Sequence, residues 1–449
     1  MLVRLRAALV AAAVAVAAPA AHGGVALQGS VTASAGVTDN VYSSPTEPQA
    51  GTKGRATDLI VTVTPGLILT TGAARAVQRL AYFFNGIVYA RNTDADTYNN
   101  QLTYNGFFLP SKTTTFGLNL GLTQGRISTF NNLTETTNAQ AQVLPAAIIN
   151  QLAIQAEQSF SWEMTARWRL SESLGFSTVY LIDTHPAVPT TRTVPGRVAA
   201  EYSFAHDIVG ADVGVAYTNY PEQRGPVTDA SGVVDPNGIV TPNRNEMIVN
   251  PLVRWRRDFS YFLNVRAQLG CIAVLDPGDA RQGIIEPAGG AGLNFVARRV
   301  SIDVEYLHGA TPNALLRATF LADTATLRGS FVLSEKYNFY LSLGASYSYG
   351  RRLDETLAVQ ARAHVLTADA ALSYAPIKAL SIFLRYQVND QVGYKSDLFP
   401  IPTMYRNTLL LGLAAIYPAE IAAVVPRNKG VRVDGTDAPT ISSSKSTPK

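Results

Sequence analysis

The sequence has little cysteine, little charge and no long apolar run in its body. A single cysteine, Cys271, excludes a disulfide framework and a thiolate metal site. Only 16% of the residues are charged, the formal net charge is +4, and no Lys/Arg-rich run occurs, which excludes an extended nucleic-acid surface. Beyond residue 23, no stretch approaches the ~18 unbroken apolar residues expected of a membrane-spanning helix. Phosphate-binding glycine loops and metal-ligand spacings are also absent from the sequence, and we expect no cofactor.

What the chain has in quantity is apolar, aromatic and small residues. Hydrophobic residues make up 47% of the 449 residues, with 20 tyrosines, 17 phenylalanines and 34 glycines. This composition favours strands and tight turns over helices. The length fits either two or three soluble domains or one large closed barrel.

The N-terminus has the three parts of a secretory signal peptide. Arg4 and Arg6 precede an apolar run over residues 7–18, and small residues follow up to residue 23. We therefore predict that residues 1–23 are a signal peptide that is cleaved near residues 21–24. The alternative, an N-terminal anchor, is disfavoured because the run is shorter than the ~20 residues of a spanning helix.

The most regular pattern lies in residues 159–170, SFSWEMTARWRL. The even-numbered residues are all apolar and include Trp162 and Trp168, whereas the odd-numbered residues are all polar. Because strand side chains alternate between two faces, the pattern predicts one strand with an apolar and a polar face. The two tryptophans would lie roughly 20 Å apart, close to the ~25 Å apolar band of a membrane barrel. A soluble sheet gives the same alternation, so the prediction depends on its recurrence.

Alternating segments recur from residue 25 to residue 417, and we predict eighteen strands. Their predicted bounds are 25–40, 58–71, 75–91, 98–109, 113–126, 159–170, 173–184, 195–205, 207–220, 246–257, 258–273, 284–298, 299–309, 316–334, 336–349, 357–375, 379–391 and 406–417. An even number of strands is expected of a single-chain bacterial barrel.

The connections alternate strictly between short and long. Predicted short turns lie at residues 72–74, 110–111, 171–172, 206–207, 257–258, 298–299, 334–336 and 376–378. The intervening connections are longer and rich in Pro, Asn, Asp and Gly. This layout predicts an all-β fold: a transmembrane antiparallel up-and-down β-barrel over residues 24–417, with short periplasmic turns and long extracellular loops. It also predicts that the protein is an integral protein of the cell outer membrane.

The last predicted strand runs from Asn407 to Tyr417 and ends on an aromatic residue, with leucines on one face. It resembles the C-terminal signal by which outer-membrane proteins engage their assembly machinery. Residues 418–449 follow it and are rich in Pro, Ser and Lys, which predicts a disordered periplasmic tail. The tail is either inert or a docking segment for a periplasmic partner.

A barrel of about eighteen strands is wide enough for an aqueous lumen unless loops plug it. Extending the alternation gives the lumen-lining candidates Glu163, Arg167, Arg169, Arg254, Arg256, Asn264, Arg266, Asp303, Glu305, Arg328 and Arg385. Arginines outnumber acids in this set and can bind anionic groups through two hydrogen bonds. The alternative is that these charges pair with one another and only keep the lumen wet.

Two further features bear on function. The long connection over residues 127–150 contains an apolar piece at residues 143–149 that would suit a constriction inside the barrel. Asp183 and His185 are the best-placed pair for catalysis at the outer rim, but no nucleophile accompanies them. We therefore predict that the protein is not an enzyme.

The first predicted strand ends in Gly36-Val37-Thr38-Asp39-Asn40-Val41-Tyr42. This segment resembles the end of the first strand in outer-membrane barrels associated with exopolysaccharide export, such as those found beside Wzx/Wzy-type systems in myxobacteria-like organisms. The resemblance implies a pore for a secreted polysaccharide that works with a short periplasmic polysaccharide-export protein. It transfers no functional residues.

Three functions remain open from the sequence: a polysaccharide export pore, a general or anion-selective diffusion porin for small polar solutes, and a plugged structural or adhesive barrel. The tail favours the first function, because a simple porin commonly ends at its final aromatic residue. The connection over residues 127–150 favours the other two.

Overall fold

A computed structural model describes residues 24–42, 44–46, 54–128, 148–182, 191–228, 234–241, 243–276, 279–313, 318–353, 362–393 and 403–417. The strands are β1 (Gly24–Thr38), β2 (Asp58–Ala73), β3 (Ala76–Tyr89), β4 (Thr97–Phe108), β5 (Thr114–Ser128), β6 (Ile148–Glu163), β7 (Trp168–Leu181), β8 (Thr191–Ser203), β9 (Asp207–Tyr220), β10 (Gln223–Thr228), β11 (Val234–Thr241), β12 (Arg244–Ser260), β13 (Leu263–Asp276), β14 (Asp279–Val296), β15 (Val300–Asn313), β16 (Ala318–Ser334), β17 (Phe339–Arg352), β18 (Arg362–Ile377), β19 (Leu380–Gly393) and β20 (Met404–Tyr417). A 3-10 turn, Thr93–Ala95, lies between β3 and β4.

Eighteen of these strands form one closed antiparallel sheet. Each strand pairs with its neighbour in sequence, β9 pairs with β12, and β1 pairs with β20 from Gly29↔Tyr417 to Thr38↔Thr408. Strands β10 and β11 form a separate hairpin in the connection between β9 and β12. The prediction of an eighteen-stranded up-and-down barrel is confirmed.

The outward face of the barrel is apolar. Large side chains that alternate with polar ones remain about half exposed, among them Leu59 (59%), Leu174 (53%), Val253 (59%) and Leu411 (60%). A closed sheet satisfies its backbone hydrogen bonds internally, and its apolar outer surface matches lipid rather than water. The protein is therefore an integral β-barrel of the outer membrane. No helix among the residues described is long and apolar enough to cross a membrane.

Aromatic side chains mark the border of the apolar band at the short-turn end. Trp168 and Tyr202 pack edge to face with ring centroids 5.0 Å apart, and Tyr202 contacts Phe204 at 4.7 Å. Tyr261 and Phe262 form a similar pair at 4.9 Å in the turn between β12 and β13. Such aromatic side chains, which have an apolar part and a part that contacts water, favour the membrane–water interface.

The prediction of a single strand over residues 159–170 is wrong. β6 ends at Glu163 and β7 begins at Trp168, so residues 164–167 form a turn and the predicted turn at residues 171–172 lies inside β7. Trp162 pairs with Leu170, and Glu163 pairs with Arg169. Partners on the two strands are both even-numbered or both odd-numbered, so the alternation continues across the hairpin as if no turn existed.

Two boundaries near other turns also differ from the predictions. β6 begins at Ile148, so the end of the predicted loop over residues 127–150 is strand. β12 continues to Ser260 and β13 begins at Leu263, which places the turn at residues 261–262 rather than 257–258. The predicted signal peptide, the tail and residues 143–147 lie outside the described residues.

Prolines explain three local gaps in the ladders. The β2–β3 ladder skips Pro65, the β7–β8 ladder skips Pro195, and the β12–β13 ladder skips Pro251. Proline has no backbone N–H to donate, so a strand that contains it loses a ladder bond at that position. In these three ladders the pairing resumes beyond the proline.

Candidate transport lumen

The inward face of the barrel is polar, but its polar groups are of two kinds. Strands β6–β9 and β12–β16 bring arginines and carboxylates to the lumen, and β18 and β19 add one more such pair. Strands β1–β5 contribute mainly hydroxyl and amide side chains. Because strand side chains alternate, this division follows directly from which residues occupy every second position.

One of the most buried charges in the lumen is Asp212 on β9, whose side chain is 2% exposed. Arg197 from β8 reaches its Oδ2 with Nη2 at 3.3 Å. Arg254 from β12 contacts the same oxygen through Nε. A carboxylate this deeply buried is stable in its charged form only when it is paired, and here two neighbouring strands each supply an arginine.

Other inward arginines are paired as well. Nε of Arg169 lies 3.3 Å from Glu201 Oε2 across the β7–β8 ladder. Nη2 of Arg385 lies 3.6 Å from Asp369 Oδ2 across the β18–β19 ladder. These pairs lie along the wall between adjacent strands, so the arginines do not project as free anion ligands.

Arg266 on β13 has two acidic partners on β15. Its Nη2 lies 3.6 Å from Asp303 Oδ2 and 3.2 Å from Glu305 Oε2. Both acids were expected at the lumen from the alternation, and the structure brings all three side chains together. Arg328 of β16 is the ladder partner of Asp303, so arginines lie next to these acids on two strands.

Arg167 does not line the lumen. It lies in the turn between β6 and β7, and its Nη1 donates a hydrogen bond to the hydroxyl of Tyr202 at 3.2 Å on the outward face. Glu163, at the end of β6, is exposed on the same side as its ladder partner Arg169. The prediction for Arg167 was wrong because the strand that was to carry it is a hairpin.

The remaining sequence-predicted residues lie on inward positions of their strands. Asn264 donates to Asp258 Oδ1 at 2.5 Å, and Arg256 and Arg328 occupy inward positions on β12 and β16. The described residues contain no group of three or more His, Cys, Asp or Glu side chains placed to hold a metal ion. Asp183 and His185, the candidate catalytic pair, lie outside the described residues.

The charged part of the wall surrounds a cavity of about 530 Å³. Its lining includes Glu201, Arg254, Arg256, Arg266 and Glu305. Tyr261 and Phe262 of a short turn also line it, which places its mouth at the periplasmic end.

A smaller cavity of about 170 Å³ is lined by residues of β1–β5, β19 and β20. Many hydroxyl and amide groups line it: Thr32, Ser34, Thr62, Thr64, Asn85, Asn99, Gln387, Asn389 and Thr408. Three arginines, Arg126, Arg385 and Arg406, line it as well. Thr64 donates to Asn85 Oδ1 at 3.3 Å, and the hydroxyls of Ser34 and Thr62 are hydrogen-bonded. The buried Oδ1 of Asn99 has no hydrogen-bond partner in the structure.

The seam between the first and last strands is locked from the extracellular side by Asp39. Its carboxylate accepts hydrogen bonds from the backbone N–H of Asn407 at 2.7 Å, from Asn407 Nδ2 at 2.9 Å and from Arg55 Nη2 at 2.6 Å. Burial opposes ionisation of Asp39, but these bonds outweigh it and hold its pKa below the usual value of 3.8.

The residues that follow Asp39 make further contacts at the same seam. Asn40 Nδ2 donates to the carbonyls of Ser44 and Tyr405, both at 2.9 Å. Val41, 1% exposed, packs in an apolar cluster with Ile60 and other buried side chains of β2, β3 and β20. The segment on which the family resemblance rests is therefore used for barrel closure, a role that no sequence pattern had suggested.

Comparison with known proteins gives no family. No family model matches the chain, and no curated protein matches it. Among solved structures it is similar to OccAB3 of Acinetobacter baumannii, with TM-score 0.45, 9% identity, and 87% of this chain and 99% of that chain covered. A mutant of the ferric enterobactin receptor PfeA of Pseudomonas aeruginosa gives TM-score 0.44 and 7% identity, covering 88% and 81%. The siderophore receptor PirA of Acinetobacter baumannii gives 0.45 and 6%, covering 87% and 80%.

Proposed function

We propose that this outer-membrane barrel is the pore through which a secreted polysaccharide crosses the outer membrane, received from a periplasmic polysaccharide-export partner. The observation that supports this proposal is the hydroxyl and amide wall of β1–β5. Thr62, Thr64, Asn85 and Asn99 present uncharged donors and acceptors to one side of the lumen. Arg126, Arg385 and Arg406 line the same cavity. Sugar hydroxyls exchange hydrogen bonds with such groups in place of water.

Weak, repeated contacts suit the passage of a polymer. Conduction requires sites that bind well enough to admit a solute and loosely enough to release it. Neutral hydrogen bonds, each with a net worth of about 1 kcal/mol, meet this condition better than a row of unpaired arginines. The resemblance of residues 36–42 to export-associated barrels points the same way.

A second candidate, a diffusion porin for small polar solutes, is favoured by the periplasmic chamber of about 530 Å³. Arginines and carboxylates are interleaved around it, so the local field changes sign over short distances. Strong anion selectivity needs an excess of one sign. We therefore expect weak ion selectivity, and a porin of this kind would need no periplasmic partner.

The first test is a deletion strain complemented with wild type, with Asn99→Ala plus Asn85→Ala, or with a control, Asn100→Ala. Asn100 faces outward, where its Oδ1 accepts a bond from Tyr82. We expect secreted polysaccharide to be lost in the deletion, restored by wild type and the control, and reduced by the double variant. Periplasmic polymer should rise as secreted polymer falls. Unchanged polysaccharide in the deletion strain would refute export and leave the porin.

The partner is tested with a chain truncated after Tyr417. We propose that residues 418–449 bind the periplasmic export protein, so truncation should abolish its co-purification with the barrel. The barrel itself should still assemble, because Tyr417 is the last residue of its final strand. Co-purification that survives truncation would show that the tail does not carry this interaction.

A further inference from the structure

The barrel wall separates between β14 and β15. Their ladder runs only from Gly289↔His308 to Val296↔Ser301. Beyond it, β14 continues toward the extracellular end paired with β13 alone, and β15 continues paired with β16 alone. Pro287 lies just beyond the last pair and has no N–H to give to β15, which explains why the ladder ends there. Unlike the gaps at the other prolines, this one does not close again.

Past this point, the two edges of the split overlap. Ala310, Leu321 and Leu353 continue the outward face of β15–β17, yet Leu321 is 3% exposed and Leu353 is 6% exposed. They share one apolar cluster with inward-facing side chains of the preceding strands, namely Ile248, Leu252, Ile272, Val274 and Ala288. An outward face can contact an inward face only if the outer ends of β15–β17 lie inside the lumen, behind β12–β14.

Two polar contacts join the same surfaces. Arg351 Nη2 of β17 lies 2.6 Å from Glu286 Oε1 of β14. The hydroxyl of Thr319 on β16 donates to Glu246 Oε2 on β12, and both residues are buried. Neither pair belongs to adjacent strands of the sheet, so these bonds exist only because the wall overlaps itself.

We propose that the inward-tucked strand ends are a gate, which we call the flap: residues 309–312, 319–323 and 349–351, together with Leu353. In the arrangement seen here, the flap narrows the extracellular end of the lumen. Swinging outward would bring the free edge of β15 beside the free edge of β14 and restore the full circumference. The proposal concerns the width of the pore and does not depend on the cargo.

The physical basis is that β14 and β15 both continue past the end of their shared ladder as strands paired on one side only. An unpaired strand edge is a ready template for pairing, and the flap and β14 each present one to the other. The closed arrangement is held by the apolar cluster and by the pair of Arg351 and Glu286. A change that weakens those contacts without altering the ladders should increase the population of the open arrangement.

The experiment is single-channel recording of the full-length barrel in planar bilayers in symmetrical potassium chloride. Arg351→Gln and Glu286→Gln should each raise the fraction of time in the high-conductance state, on the order of fivefold. The exchange Arg351→Glu with Glu286→Arg should return that fraction to the wild-type value. Asp369→Asn, which breaks the pair with Arg385 within a continuous ladder, should leave it unchanged. Wild-type gating in both single variants would overturn the proposal.

Chemical cross-linking gives a second, independent measurement. In a Cys271→Ser background, Glu246→Cys and Thr319→Cys place one thiol on the wall and one on the flap. A short reducible bis-thiol reagent should lock the low-conductance state, and reduction should release it. Heat-modifiable migration on gels confirms that each variant is folded. If linking the two positions does not change conductance, the flap is not a gate.

Discussion

The carboxylate of Asp39 holds the end of β1 against β20, and removing it should weaken the whole barrel. It accepts two hydrogen bonds from Asn407 and one from Arg55. The side chain is 30% exposed, whereas that of Arg55 is 42% exposed. Because β1 and β20 are the first and last strands, their pairing closes the ring and does not benefit from a short turn.

The magnitude follows from these contacts. A hydrogen bond to a charged group is worth about 1.5–3 kcal/mol when buried, and partial exposure lowers this. We expect Asp39→Ala to reduce the free energy of unfolding by about 2–3 kcal/mol, mostly through the two bonds from Asn407. Arg55→Gln should cost less than about 1 kcal/mol, because an exposed ion pair is weak.

The assay is urea unfolding of the barrel in lipid vesicles, followed by tryptophan fluorescence. Glu172→Ala is the matched control, since this exposed carboxylate accepts only a long hydrogen bond of 3.4 Å from Gln158. Asp39→Asn should fall between wild type and Asp39→Ala, since it keeps an acceptor for the Asn407 N–H. A loss below about 0.5 kcal/mol in Asp39→Ala would refute the idea that Asp39 locks the seam.

The pH dependence of this contribution has a definite sign. The folded pKa of Asp39 lies below its usual value of 3.8. The carboxylate therefore adds stability at pH values above 3.8, and this stability is lost as the pH falls through the lower, folded pKa. The difference between wild type and Asp39→Ala should be constant near neutrality and shrink only in strong acid, as measured by urea unfolding at each pH. A difference that vanishes already at pH 6 would contradict this.

Two further predictions concern closure and selectivity. Gly36→Ala should lower the yield of folded barrel in the membrane fraction, because a Cβ at this position would overlap the carbonyl of Leu409 across the seam. Heat-modifiable migration equal to that of wild type would contradict this prediction. Asp212→Asn should shift the reversal potential in a salt gradient toward anion selectivity, because Arg197 and Arg254 would lose the negative charge that they share. An unchanged reversal potential would indicate that these side chains lie off the conduction path.

Much of the fold was predictable because a membrane barrel imposes a simple rule on every strand. Lipid on one side and water on the other force a period of two, and short turns force a regular spacing. The count of eighteen strands and most short turns followed from these two signals. The error at residues 159–170 shows the limit of these two signals. When the apolar residues are even-numbered in both strands of a hairpin, the alternation continues through the turn and does not reveal it.

The candidate site was less predictable. The alternation correctly placed residues such as Arg254 and Arg266 on the inward face, but not their partners. Asp212 was not singled out, since a lone Asp between glycines and valines has no distinguishing pattern. Its importance comes from register, because the β8–β9 and β9–β12 ladders pair it with Ala199 and Leu252. Arg197 and Arg254, two residues along those strands, therefore lie diagonally opposite it. Register depends on the cumulative fit of all neighbouring strands.

The sequence by itself determined the class of the protein, the number of its strands and which face of most strands meets lipid, because these depend on local periodicity. Only the tertiary structure decided how the ring closes at Asp39, which charges neutralise one another and that β15–β17 lie behind β12–β14. These features join residues far apart in the chain, and their energies depend on distances and burial that no local pattern contains.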